Sequence, residues 1–272
     1  MRGAVAPERA RIVGIVLVHN EDLYVEQAIR NVAAFCDRIH ALDHVSTDGT
    51  FEILERLDAE LGHLDVRRTH HADDSHTLVE QYAGTNTWVF GVDGDELYDP
   101  ERLAGFREQL LNGAYDGVFK VASNVVNCVE LDRERATATG YPSPPSRSIT
   151  KLYNFAAIDA WAGDGSERLH GGTISFRAGY DDESVDNIGE RLSWDETPLR
   201  CLHLCFMRRS SVDPDDPSAR PILMESGLHD RTLLGGLKRR LLRRRPPAVS
   251  AWKQEKYMRG DLVTVDAAPF LG

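Results

Sequence analysis

Cysteine is scarce: the 272 residues hold four, at positions 36, 128, 201 and 205. Four thiols in a chain this long do not make a disulfide framework, so reduced and mostly buried thiols are expected. Long apolar runs are missing as well. No stretch approaches the roughly 20 residues that a membrane-spanning helix needs. The start of the chain, residues 1–10, is polar and lacks the apolar centre of a secretory leader. It reads as a flexible N-terminus, and the expected compartment is the cytoplasm. Positive charge is in deficit, with 32 Lys and Arg against 43 Asp and Glu and a formal net charge of -11. Nucleic acid is therefore disfavoured as a partner, because phosphate contacts need clustered cations. What is present, 42% hydrophobic and 28% charged residues, is the composition of a globular chain. The length suits one large α/β domain with decorations, or two small domains.

The first hundred residues alternate two patterns. Arg11 to Val18 is a short, β-branched, nearly continuous apolar run that suits a buried parallel strand. A helical period follows from Leu23 to Phe35, with Val25, Ala28, Ile29 and Val32 on one face. Arg38 to Leu42 reads as a second strand. Ser46 to Thr50 supplies cap chemistry for a helix from Phe51 to Leu61, ended by Gly62. Leu64 to Arg67 is a third strand, Ser75 to Tyr82 a helix, and Trp88 to Val92 a fourth strand. This order predicts a parallel sheet with crossover helices. A helix from Glu101 to Leu111 closes the region. The grammar then changes to longer strands at Gly117 to Val129 and Ser148 to Tyr153, and shorter ones at Thr173 to Phe176 and Leu199 to Phe206. Tyr141 to Pro145 reads as a loop. Val212 to Pro221, rich in Asp and Pro, reads as a linker before a basic helix candidate from His229 to Arg244.

The most informative stretch runs from Trp88 to Glu96. An apolar strand ends directly in Asp93-Gly94-Asp95-Glu96. Carboxylates at the C-terminal end of a parallel strand lie at the crevice where open α/β sheets bind ligands. Acids packed this closely repel one another unless a cation sits among them. Mg²⁺ and Mn²⁺ prefer such oxygen donors and commonly bridge to phosphate oxygens.

Three segments resemble, in order, the family 2 glycosyltransferases of the GT-A fold. Val18-His19-Asn20-Glu21 resembles the first-strand segment ending in Asn-Glu. Leu42 to Thr50 resembles the D-x-G-S-T-D-G-T stretch, and Val92 to Glu96 the D-x-D motif. The resemblance implies an α/β fold with a Rossmann-type, mostly parallel nucleotide-binding sheet. It is extended by a strand- and loop-rich acceptor half and a C-terminal helix. Residues 11–112 would form the nucleotide-sugar-binding half, 113–211 the acceptor-binding half of the same domain, and 212–272 a linker, basic helix and tail. The implied activity moves a sugar from a nucleotide-sugar donor to an acceptor hydroxyl, with inversion and with Mn²⁺ or Mg²⁺ as cofactor. Asp43 would contact the base or ribose, Asn20 and Glu21 would line the same pocket, and Asp93 and Asp95 would meet ribose, metal and diphosphate. One departure stands out: Val45 holds the place of the family's glycine before Ser-Thr.

Many relatives carry a late histidine at the metal or diphosphate site, and His203 fits that place; Arg208 and Arg209 behind it could grip phosphate. An inverting transfer needs a carboxylate to take the acceptor proton. Glu167 and Asp164, in the Gly-rich segment from Trp161 to Gly172, are the preferred candidates, with Trp161 able to stack on a sugar. His76 is an outside candidate for the donor site. In 233–245, leucines interleave with Arg and Lys. A packed helix with a solvated basic face is favoured over contact with the inner face of an anionic membrane, and a homodimer contact is a third reading. The acceptor class stays open among saccharide, lipid-linked and small-molecule substrates. Two rival functions are a sugar nucleotidyltransferase and a non-catalytic, transferase-like sugar-binding module. The first would need a Gly-rich basic loop where Val18 to Asp22 stands, and an intact Asp93-Gly94-Asp95 argues against the second.

Overall fold

The computed structural model describes residues 9–212 and 255–272. The basic segment 233–245 and most of the linker before it lie outside the described residues. Among the described residues no helix is long and apolar enough to cross a membrane.

The α/β class is as the sequence implies. The main sheet joins β1 (Arg11–Val18), β2 (Arg38–Asp43), β3 (Leu64–Arg68), β4 (Thr87–Val92), β6 (Lys120–Ala122), β9 (Thr150–Asn154) and β12 (Val185–Asn187) in the order β12-β6-β9-β4-β1-β2-β3. All strands share one direction except β9, which opposes both β4 and β6. β1 is central and buried on both faces, as its unbroken apolar run requires. Its pleat sends Ile12, Val16 and Val18 into one core and Val13, Ile15 and Leu17 into the other.

The crossover helices α1 (Val25–Ala33), α2 (Thr50–Leu61), α3 (Asp74–Glu80) and α4 (Pro100–Leu111) fall where the periodicity puts them. The face of α1 formed by Val25, Ala28, Ile29 and Val32 is fully buried. Burying each large side chain of this kind is worth about 1.5–3 kcal/mol. Gly62 ends α2 with φ 71°, a left-handed cap that suits glycine. Asp99 caps α4 by accepting from the Glu101 and Arg102 amides, with Pro100 in the first turn.

The second half differs from its sequence reading in two places. Gly117 to Val129 is not one strand. The chain leaves the main sheet at Ser123, which bonds to Ile149, and re-forms as β7 (Asn124–Asp132) in a second sheet. That sheet has the order β14-β8-β7-β13-β5, with β5 (Glu96–Tyr98), β8 (Thr137–Ser143), β13 (Arg200–His203) and β14 (Val263–Asp266). Tyr141 to Ser143, expected in a loop, completes β8. Pro142 is tolerated there because β14 pairs only with residues 137–140, so the missing N–H faces an open edge. A third, two-stranded sheet pairs β10 (Ile158–Ala162) with β11 (Thr173–Phe176). A buried aromatic group of Phe119, Tyr153, Phe155 and Trp161 packs between this hairpin and the main sheet.

Candidate active site

The register aligns three strand ends. Val18 pairs with Asp43, and Val16 with Val92. The segments after β1, β2 and β4 therefore leave the same edge of the sheet. The chain builds from β1 outward to β3 and then returns to the other side of β1 as β4. The gap beside β1 is thus a topological switch point, the usual ligand crevice of an open α/β sheet.

The turns after β1 and β2 brace each other. Asn20, in a left-handed conformation with φ 55°, donates its amide to Ser46 Oγ at 2.9 Å and accepts from the Thr47 amide at 2.7 Å. The Glu21 amide donates to Thr50 Oγ1 at 2.8 Å. The first turn of α2 is capped by Asp48, which accepts from the Thr50 amide at 3.0 Å. Asp43 is fully buried. Its carboxylate accepts from the Ser46 amide at 3.1 Å and from Arg68 Nε at 2.8 Å, so it organises the turn as well as bordering the crevice. Val45, at the place of the family's glycine, has φ 47°. A β-branched residue there stores strain.

The acidic motif sits where it was expected, directly after β4. Gly94 is needed for close approach: a Cβ there would overlap Glu21 Oε2 and lie 2.8 Å from Val18 Cγ1. Glu21 is thereby packed against the motif. The acids do not stand alone. Asp93 accepts from Lys151 Nζ at 2.7 Å and from Arg168. Lys151 also lies 3.0 Å from Glu96 Oε1. Asp95, 1% exposed, is held by Arg209 at 2.5 Å, and the same guanidinium reaches Glu21 at 3.1 Å. Three cationic side chains thus share the charge of four carboxylates. Burial pushes the Glu96 carboxyl up to about 7, against the pull of Lys151. Burial also draws Arg168 down to about 10, still protonated at neutral pH. Burial opposes the charge on Lys151, but Glu96, Cys201 and Asp95 together pull the other way and the net direction is upward.

His203 closes the crevice from the second sheet, pairing with Asn127 on one side and Glu96 on the other. Asn127 Nδ2 donates to the Tyr141 carbonyl at 3.4 Å, which turns its Oδ1 toward His203 Nδ1 at 2.9 Å. That arrangement assigns the proton of a neutral ring to Nδ1 and aims Nε2 at Asp95 Oδ2, 3.9 Å away. Among the described residues no group of three or more His, Cys, Asp and Glu is arranged to hold a metal ion.

The two base candidates part company. Glu167, 16% exposed, is joined to the motif through Arg168, which bonds Glu167 Oε1 at 2.9 Å and also Asp93. Asp164 is exposed and turned into its own loop, accepting from the Ser166 amide and hydroxyl. The Ser166 hydrogen bond holds its carboxyl below the usual range. Trp161 does not offer a face to a sugar: it is 4% exposed, buried among aromatic rings, with Nε1 bonded to the Gly171 carbonyl. Arg209 holds carboxylates, and Arg208 donates to the Ser210 and Ser211 carbonyls. Sequence reasoning gave no role to Lys151 or Arg168. The signal for Lys151 was a lysine inside an otherwise buried strand, a placement that implies a partner.

No family model matches the chain, and no curated protein matches it. Solved structures do resemble it in part. One is S. aureus TarS 1-349, 19% identical, covering 54% of this chain and 48% of that one, with a TM-score of 0.39. A second is glucosyl-3-phosphoglycerate synthase from Mycobacterium tuberculosis with Mn²⁺, UDP and glucosyl-3-phosphoglycerate, 22% identical over 43% of this chain and 44% of that one, TM-score 0.32. A third is the mannosyltransferase PcManGT from Pyrobaculum calidifontis with GDP-Man and Mn²⁺, 22% identical over 47% of this chain and 38% of that one, TM-score 0.33. In all three, this chain spans less than half the length of the solved protein.

Proposed function

We propose that this chain is a nucleotide-sugar-dependent glycosyltransferase, inverting and assisted by a divalent metal. The observation that carries the reading is the placement of Asp93-Gly94-Asp95. It closes β4 at the switch point, packed on Glu21 and faced by His203. The nucleotide would enter between the ends of β1, β2 and β4, bordered by Asn20, Glu21 and Asp43. The diphosphate would lie toward Asp95.

A divalent ion would be held by Asp95 and His203, and it would take the place beside Asp95 Oδ2 that Arg209 fills in this structure. His203 Nε2 and Asp95 Oδ2, 3.9 Å apart, are the two groups that would hold it. Two protein ligands, with substrate phosphates supplying others, is the usual way Mg²⁺ is bound. When bound, the ion would offset charge on the departing nucleoside diphosphate. Asp93 serves differently, because Lys151 and Arg168 engage both its oxygens. It anchors those two cations at the crevice.

Glu167 is the preferred base. Its place beside Arg168 lets it accept the proton of an acceptor hydroxyl as that oxygen attacks the anomeric carbon. The bond from that carbon to the phosphate oxygen breaks in the same step, and the nucleoside diphosphate leaves. The neutral or cationic partners of Asp93 and Asp95 keep the pocket from repelling a diphosphate. A thermal-shift screen of UDP, GDP, CDP and dTDP with Mn²⁺ tests the reading. The expected result is a shift for one nucleotide that Asp95→Ala abolishes. Absence of any shift, or a shift indifferent to Asp95→Ala, would overturn it.

A further inference from the structure

Beneath the loop 163–172 lies His76 on α3, only 2% exposed. Its Nδ1 is 2.6 Å from the Arg168 carbonyl oxygen, and its Nε2 is 3.1 Å from the Trp161 carbonyl oxygen. Carbonyl oxygens only accept. A neutral imidazole has one N–H, so it can satisfy one of them and must turn a lone pair on the other. Only the imidazolium donates to both. Glu80, one turn along α3, places Oε1 3.4 Å from Nε2. On its own helix Asp73 and Asp74 precede His76, with Asp74 accepting from the Thr69 hydroxyl. From the loop, Arg168 is the charged neighbour, and its guanidinium is spent on Asp93 and Glu167. His170 stands beyond it, 3.7 Å from Glu167.

The neighbouring residue completes the grip. Ser75 Oγ accepts from the Arg168 amide at 2.8 Å. Consecutive residues of α3 therefore hold both the N–H and the C=O of Arg168. The residue they hold is in a left-handed conformation, φ 45°, which a non-glycine adopts at a cost and keeps only when its surroundings enforce it. The loop closes directly on the ring: a Cβ at Gly163 would come within 2.6 Å of His76 Cδ2. Arg168, so held, links Asp93 at the end of β4 to Glu167.

We propose that His76 is a positioning residue. Bonded to the carbonyls of Trp161 and Arg168, it holds the loop 163–172 closed and sets Arg168 and Glu167 beside Asp93. The effect on turnover rests on Glu167 being the base; the clamp itself does not. The test is amide hydrogen exchange on the full chain, followed by mass spectrometry over peptides spanning 161–172. In His76→Gln, exchange there should rise roughly ten-fold or more, the scale of losing one buried hydrogen bond, while peptides from α1 keep their rates. Ser75→Ala, which removes the acceptor of the Arg168 amide, should raise it as well. Equal loop exchange in the wild-type chain and the His76 variant overturns the clamp. The milder His76→Asn, read in the same way, keeps the proposal open to refutation even if His76→Gln does not fold. Once a donor is found, His76→Gln should lower kcat by roughly ten-fold with the donor KM within about two-fold; a change confined to KM overturns the positioning role. The two readings fail separately. No nucleotide binding removes the transferase proposal and leaves the exchange result standing, whereas an unchanged loop removes the clamp while the nucleotide shift persists.

Discussion

Asp43 and Asp93 end neighbouring regions of the same sheet edge, and each is held by opposite means. Asp43 is satisfied by a backbone amide three residues on and by Arg68 at the end of the adjacent strand. Asp93 is satisfied by side chains 58 and 75 residues away, one on the reversed strand β9 and one on the loop between β10 and β11. The first turn is local and is written in consecutive residues. The second is assembled only when the whole domain has formed. A local turn carries its cost as backbone strain at Val45, whereas the assembled cluster carries it as buried charge.

That contrast can be broken from the β4 side with the largest effect. Lys151→Ala leaves Asp93 and Glu96 without their shared cation in a buried place, which costs about 3–5 kcal/mol. Denaturant unfolding with a circular dichroism readout should show it. An unchanged midpoint would mean that water, not Lys151, supports these acids. A smaller change comes from pH. The Glu96 carboxyl is raised from 4.5 to about 7 in the folded chain. The folded state then binds more protons than the unfolded one between those values, so stability is greatest below the lower value and is lost as pH rises toward 7. Glu96→Gln should flatten that slope and leave the variant more stable at pH 8, by up to the order of 3 kcal/mol. Thermal unfolding at pH 5 and pH 8 checks the sign. The smallest effect belongs to the β2 side. Val45→Gly relieves a left-handed valine and should raise stability by about 1 kcal/mol, net of the freedom glycine adds to the unfolded chain. A loss of stability would show that packing of the valine side chain outweighs its backbone strain.

The difference also explains what could be read in advance. Apart from the short β5, which the sequence reading missed, the strands and helices up to Leu111 were legible because each signal is local: an apolar run, a helical face, a Gly after α2, an Asp-Pro before α4. The crevice position of Asp93-Gly94-Asp95 was legible for the same reason. The break at Ser123 was not, because what divides β6 from β7 is pairing with Ile149 and Leu199, distant in sequence. Tyr141 to Ser143 was misread because proline usually marks a loop, and only the short reach of β14 makes an open edge for it. Trp161 looked available to a sugar in a Gly-rich stretch, yet the aromatic core beneath β10 claims it. The counter-ions of the motif were hidden most deeply. No spacing relates Lys151, Arg168 and Arg209 to Asp93 and Asp95; the main sheet, the β10–β11 hairpin and the segment after β13 bring them together.

The Asp93-Gly94-Asp95 segment has one more property, which is mechanical. β4 belongs to the main sheet and β5, beginning at Glu96, to the second. The motif is therefore a three-residue seam between two separately hydrogen-bonded bodies, and His203 and Arg209 touch it from the far side. A ligand gripping this seam would act as a rivet. Any shear of one sheet past the other must be felt there first, so occupancy of the crevice and the rigidity of the joint between the sheets should rise and fall together.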